Sequence, residues 1–182
     1  MLREAAVALI EEKGRAGFTL RELARRAGVS HAAPYRHFED RDELLACVAE
    51  EGFGMLGEQV AAAAALGPGP RDALSNAGLA YVEFAVEHPA HLRVMFDPGL
   101  YRIRPSLMAI AEHSFDRLQS LIVACQRSGD LPEGSARDQT RVAWALMHGV
   151  AELSISGSLA LPTPADQQRF RAYALRALFG EL

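Results

Sequence analysis

Cysteine is scarce in this chain: Cys47 and Cys125 are the only two in 182 residues. They stand far apart, so neither a disulfide framework nor a zinc ribbon is expected. A reducing, cytoplasmic setting is the default. Long apolar runs are also lacking. None reaches the roughly 18 residues that span a bilayer, and no membrane partner is expected. At the N-terminus, Arg3, Glu4 and the Glu11–Glu12–Lys13 cluster interrupt any signal-peptide pattern. Positive charge is short too, with 19 Lys and Arg against 23 Asp and Glu. Residues 1–50 carry eight basic side chains and nine acidic ones. That balance counts against a generally basic nucleic-acid binder, although a local basic face can still hold phosphates. No G-x-S-x-G elbow, Walker-type loop or dinucleotide fingerprint occurs, so neither an enzyme nor a cofactor is expected. His88 and His91 lie three apart with Glu87 nearby, but Pro89 interrupts the helix between them, and no metal site is assigned.

Sustained strand alternation is absent as well, and helical periodicity runs through nearly every segment. The hydrophobic fraction of 49% and charged fraction of 23% are those of a folded globular protein. The expected fold is all-α, with about nine helices. A first helix carries Leu2, Ala5, Ala6, Leu9 and Ile10 on one face and stops near Gly14. Thr19, with Glu22 three residues on, opens a second helix that Gly28 ends. Ser30 caps a third, about two turns long. Asp40 and Glu43 open a fourth that runs to about Leu66. Gly67–Pro68–Gly69–Pro70 is a linker. A fifth helix carries Leu74, Ala77, Tyr81, Phe84, Ala85 and His88. Pro89 ends it and can open a short sixth from Leu92 to Phe96. Asp97–Pro98–Gly99 reads as a turn or loop. Leu107 to Cys125 traces a seventh helix, Ser135 with Asp138 starts an eighth, and Thr163–Pro164 with Asp166 starts a ninth.

The stretch from Phe18 to Leu45 has the form of a helix-turn-helix, in which the second helix of a pair lies in the major groove of DNA. Helix starts aim free N–H groups at phosphate, and Thr19 and Arg41 sit at or beside such starts. Ser30, His31, Tyr35, Arg36 and His37 lie on or next to the short helix. Leu20, Leu23, Ala24, Val29 and Phe38 supply the small core beneath it.

In these residues, TLRELARRAGVSHAAPYRHFEDRDELL preceded by LREAAVALIEEKGRAGF, the chain resembles the TetR family of transcriptional regulators. The resemblance implies a DNA-binding domain over residues 1–46 and a ligand-binding and dimerisation domain over 47–182. It implies phosphate or base contacts at Thr19, Ser30, His31, Tyr35 and His37, with Arg41 where the family usually has lysine. Pro34 departs from the leucine more common there and predicts an irregular start to the recognition helix. The family's basic N-terminal arm is not seen, so either arm contacts are fewer or the start is truncated. A second, weaker resemblance lies in Trp144–Ala–Leu–Met–His148–Gly149 and in HPAHLRVMF, similar to a TetR subgroup often called the WHG domain.

The eighth helix is apolar on two sides. Val142, Leu146, Gly149 and Leu153 share one face, and Trp144, His148, Ala151 and Ile155 share nearly the opposite one. A second copy of the chain would cover one face, with Phe170 and Ala174 of the ninth helix added to the interface. The alternative is a central helix enclosed within one monomer. Tyr81, Phe84, Phe96, Met108, Phe115, Trp144 and His148, with Met95, His113 and Met147, are candidates to line a cavity for a small, largely apolar effector. The expected function is a homodimeric, ligand-responsive repressor of a palindromic double-stranded DNA operator. The alternative is a small-molecule binding or sequestering protein whose DNA binding has lapsed. Gly52, Gly54 and Gly57 weaken the long fourth helix and are expected to let it bend when the protein switches.

Overall fold

The structure is a computed structural model that describes residues 1–159 and 163–180, apart from the side chain of Arg171. Nine α-helices and no strand occur among the described residues. They are α1 (Leu2–Lys13), α2 (Leu20–Arg26), α3 (Arg41–Ala65), α4 (Pro70–Glu87), α5 (Pro89–Met95), α6 (Pro98–Ile103), α7 (Ser106–Ser128), α8 (Ala136–Ile155) and α9 (Pro164–Leu178). A single 3-10 turn, Pro34–Arg36, lies between α2 and α3. The all-α expectation therefore holds, with two changes of element.

The first change concerns the expected third helix, which is a 3-10 turn. Proline has no N–H, so residue 34 cannot donate to the Ser30 carbonyl as an α-helix would require. Ser30 O instead accepts from Ala33 N at 3.0 Å, and Ala33 O from Arg36 N at 3.2 Å. The ring of Pro34 is buried beside the equally buried Phe38, whose N–H reaches Pro34 O at 2.9 Å. The second change is α6, where a loop was expected. Asp97 caps it by accepting from Gly99 N at 2.8 Å, and Pro98 takes the first helical position.

The chain divides into two compact units, Met1–Met55 with His88–Glu112, and Leu56–Glu87 with His113–Leu182. In the first, α1 packs on α2 and α5. Ala6, Leu9 and Ile10 of α1, Leu20, Leu23 and Ala24 of α2, Leu44, Leu45 and Val48 of α3, and Leu92, Val94 and Met95 of α5 are all buried. Each fully buried Leu or Ile contributes roughly 1.5–3 kcal/mol of transfer free energy. Gly52 of α3 is a point of close approach. A Cβ there would lie 2.7 Å from Met95 Sδ and 3.0 Å from His91 Cβ. Arg104, just past α6, clasps α3 by donating to Glu50 Oε2 at 2.6 Å and Cys47 Sγ at 3.2 Å.

In the second unit α4 packs on α8 and α9, and α8 on α9. Two apolar clusters fill it. One joins Leu74, Ile122, Cys125, Leu131 and Ala143, and the other Val82, Met147, Val150, Ala174 and Leu175. Gly78 of α4 permits the approach, since a Cβ there would come within 3.2 Å of both Leu175 and Met147. No helix among the described residues is long and apolar enough to cross a membrane.

Candidate nucleic-acid interface and ligand site

Local capping builds the N-terminal surface. The Thr19 hydroxyl accepts from Glu22 N at 3.3 Å and starts α2. Gly28, with φ +68°, ends it: Gly28 N reaches Arg25 O at 3.3 Å and Val29 N reaches Ala24 O at 3.0 Å, the paired bonds of a Schellman stop. Asp40 Oδ1 then accepts from Glu43 N at 2.9 Å, while Glu43 Oε2 takes Glu39 N at 2.6 Å, and α3 begins. Between these two fixed starts, Ser30, His31, Tyr35, Arg36 and His37 are all exposed, Tyr35 by 54%. They ride on the buried pair Pro34 and Phe38.

The basic side chains around this surface are largely engaged. Arg26 grips Glu12 with two bonds, at 2.6 and 2.7 Å, and that bond draws the Glu12 carboxyl below its usual range. Lys13 pairs with Glu22, and Arg25 lies 3.9 Å from the same carboxylate. Arg41, at the start of α3, donates to Ala16 O at 3.3 Å and approaches Asp42 at 3.3 Å. Its guanidinium thus ties the α1–α2 loop to α3.

In the second unit, three of the expected cavity residues meet. Tyr81 of α4 lies with its hydroxyl 2.7 Å from His148 Nδ1 on α8. The Trp144 ring lies over His148 at 5.4 Å between centroids and 31° between planes. Burial holds the His148 ring below the ordinary histidine pKa, with Glu152 pulling the other way. Phe84 is wholly buried, and Phe115 carries the Arg137 guanidinium 5.5 Å above its ring. Phe96 and Met108 belong to the first unit. There Phe96 packs edge-on against Phe53 at 5.5 Å, and Met108 is exposed.

The buried stripe of α8 is Thr140, Ala143, Met147, Val150 and Ala151. It runs largely between the two faces picked out by periodicity and takes in Ala151 from the Trp144 face. On one flank Val142 and Leu153 are exposed, by 63% and 45%, and a Cβ on Gly149 would meet open space. On the other, Trp144 is 37% exposed. Leu146 and Phe170 pack partly buried beside the second apolar cluster, and Ala174 lies within it. Among the described residues, no group of three or more His, Cys, Asp or Glu is placed to hold a metal ion. Arg104, which clasps α3, had no signal in the sequence, and His91, weighed there only as a metal ligand, is buried in the first unit.

Residues 2–48 match the family described as "Bacterial regulatory proteins, tetR family", and residues 74–178 the family described as "Tetracyclin repressor-like, C-terminal domain". Comparison with curated proteins gives no match. Among solved structures, a protein with unknown function from Rhodococcus sp. RHA1 is 32% identical with a TM-score of 0.83, over 100% of this chain and 93% of its own. The regulator FadR from Bacillus subtilis, solved with stearoyl-CoA, is 16% identical with a TM-score of 0.80, over 100% and 97%. AibR, solved with isovaleryl coenzyme A and operator DNA, is 14% identical with a TM-score of 0.77, over 98% and 96%. At those identities the last two show likeness of fold alone.

Proposed function

Since this chain belongs to the TetR family of DNA-binding transcriptional regulators, we propose that it is a homodimeric repressor that binds a palindromic operator and releases it when a small, largely apolar effector binds. One observation carries the DNA reading: Ser30, His31, Tyr35, Arg36 and His37 are all exposed on the segment between two capped helix starts, with Tyr35 and Arg36 on its 3-10 turn. Thr19 and Arg41 are assigned to the flanks, Thr19 toward phosphate. Arg41 acts partly by positioning, through Ala16 O. Residues 1–46 are the DNA-binding region in this reading and 47–182 the effector and dimer region. The test is titration of the chain against the DNA upstream of its own coding region, followed by anisotropy over a range of salt. Phosphate contacts predict an affinity that falls linearly in log–log form as salt rises. Tyr35→Ala is expected to weaken it at least about tenfold, the loss of one good base contact.

The effector reading rests on the Tyr81–His148–Trp144 cluster, a polar pair beside an aromatic face. Two neighbours in fold are described with acyl-coenzyme A bound, so acyl-CoA thioesters are the first compounds to test. Trp144 is the only tryptophan, and its fluorescence reports binding directly. An effector shifts the DNA equilibrium only as far as it binds one conformation better than the other.

The ion pairs of α1 and α2 favour a second reading. With Arg26 and Lys13 paired to Glu12 and Glu22, fewer cations are left for phosphate, which favours a small-molecule sequestering protein. Salt-independent, weak association with the same DNA is the outcome that selects it.

A further inference from the structure

Two polar side chains are buried among the described residues, Thr140 and His91. The Thr140 hydroxyl is satisfied, donating to Ala136 O at 2.7 Å. His91 is 5% exposed, and neither Nδ1 nor Nε2 has a hydrogen-bond partner among the described residues. Its place in the first unit is specific. It lies on α5, which packs on α1, and it faces α3 where Gly52 permits the closest approach. A Cβ on residue 52 would sit 3.0 Å from His91 Cβ, so α5 lies close against α3 at this point.

The charged groups around it come from three elements. Glu51 of α3 and Glu11 of α1 act on the ring, and His88 at the start of α5 meets it edge-on at 5.7 Å. Glu51 Oε2 is itself buried without a hydrogen bond among the described residues, and Arg3 of α1 lies 3.4 Å from it as an ion pair. Glu51 is therefore already answered by a cation.

We propose that His91 is an acid latch of this unit: neutral, its ring allows α5 to close on α1 and α3, and protonated, it forces that packing apart. A cation at this position is desolvated, and a buried charge without good pairing costs several kcal/mol. Burial holds the ring below the ordinary histidine pKa; Glu51 and Glu11 oppose that shift, and His88 adds to it. The sign follows from linkage. Below about 6.5, the ordinary value, the unfolded chain takes up a proton that the packed unit resists. Stability is therefore complete above about 6.5 and falls as pH drops toward the folded-state pKa. Each unit of depression lowers the folding constant about tenfold once both values are passed. The latch itself does not depend on DNA binding. Its consequence for the DNA-reading surface does rest on the reading above, because α1 and α2 belong to the same unit.

The test uses the full chain. Urea unfolding is measured from about pH 7.5 to about pH 5 for the native protein and for His91→Leu, and the His91 ring is titrated by NMR in the native protein. The latch predicts a ring that titrates below the ordinary value. It also predicts a native midpoint that falls more steeply below about pH 6.5 than that of His91→Leu. The NMR titration stands alone should His91→Leu fail to fold. A ring titrating at or above the ordinary value overturns the proposal, as do equal pH slopes in the two proteins. Either result would mean that the packed unit does not resist protonation of the ring, and it would leave the DNA reading untouched.

Discussion

At the scale of single residues, the contacts that matter combine a polar atom with an apolar setting. Tyr81 and His148 meet at 2.7 Å on half-buried ground. Tyr81→Phe keeps the ring and removes the bond, and is expected to lower stability by about 1 kcal/mol in urea unfolding. It should also weaken effector binding, read from Trp144 fluorescence, by more than any effect on unfolding explains. Residue chemistry also shows what was legible beforehand. Thr19, Asp40, Ser135 and Thr163 all cap helices as the sequence implied, each accepting from the N–H three residues on. Asp97–Pro98 carries the same signal as Thr163–Pro164, but Gly99 made it read as a turn. Pro34 was recognised as irregular, yet its effect is larger than a kinked start, because the missing N–H turns the segment 3-10. The burial of His91 was not legible at all. It depends on α1, α3 and α5 meeting, and residues so distant in sequence leave no local pattern.

At the scale of elements, the glycines of α3 separate into kinds that composition could not distinguish. Gly52 is a contact glycine, with Met95 Sδ 2.7 Å from where a Cβ would lie. Gly54 faces open space, and Gly57 meets only Arg117 Nη1 at 3.5 Å. Gly52→Ala is expected to destabilise by about 1–3 kcal/mol through overpacking. Gly54→Ala should stabilise by roughly 0.5–1 kcal/mol, by the helix preference of alanine over glycine. Thermal or urea unfolding of the two variants checks both signs. A bend permitted by three equivalent glycines would instead make the two alike. Helix α8 teaches a similar lesson. Periodicity located its two unusual flanks, but the stripe that meets the core lies between them, because α4 and α9 supply the packing surface.

At the scale of the whole molecule, a net charge of −4 leaves little long-range attraction for DNA. In the proposed reading, affinity then depends on a few oriented groups and on presenting them twice. The exposed flank of α8, with Val142, Leu153 and the open backbone at Gly149, is the surface we propose for the second copy. Val142→Glu combined with Leu153→Glu is expected to convert a dimer to a monomer by light scattering, with helical content unchanged. DNA affinity should fall with it, since one chain then holds one half-site. The measurement that bears most directly on the account is the salt-dependent titration of the native protein against its own upstream DNA. The prediction is saturable binding of two chains per site, an affinity that declines steeply and linearly in log–log form with salt, and at least about tenfold loss in Tyr35→Ala. Weak binding that ignores salt and is indifferent to Tyr35 would contradict it.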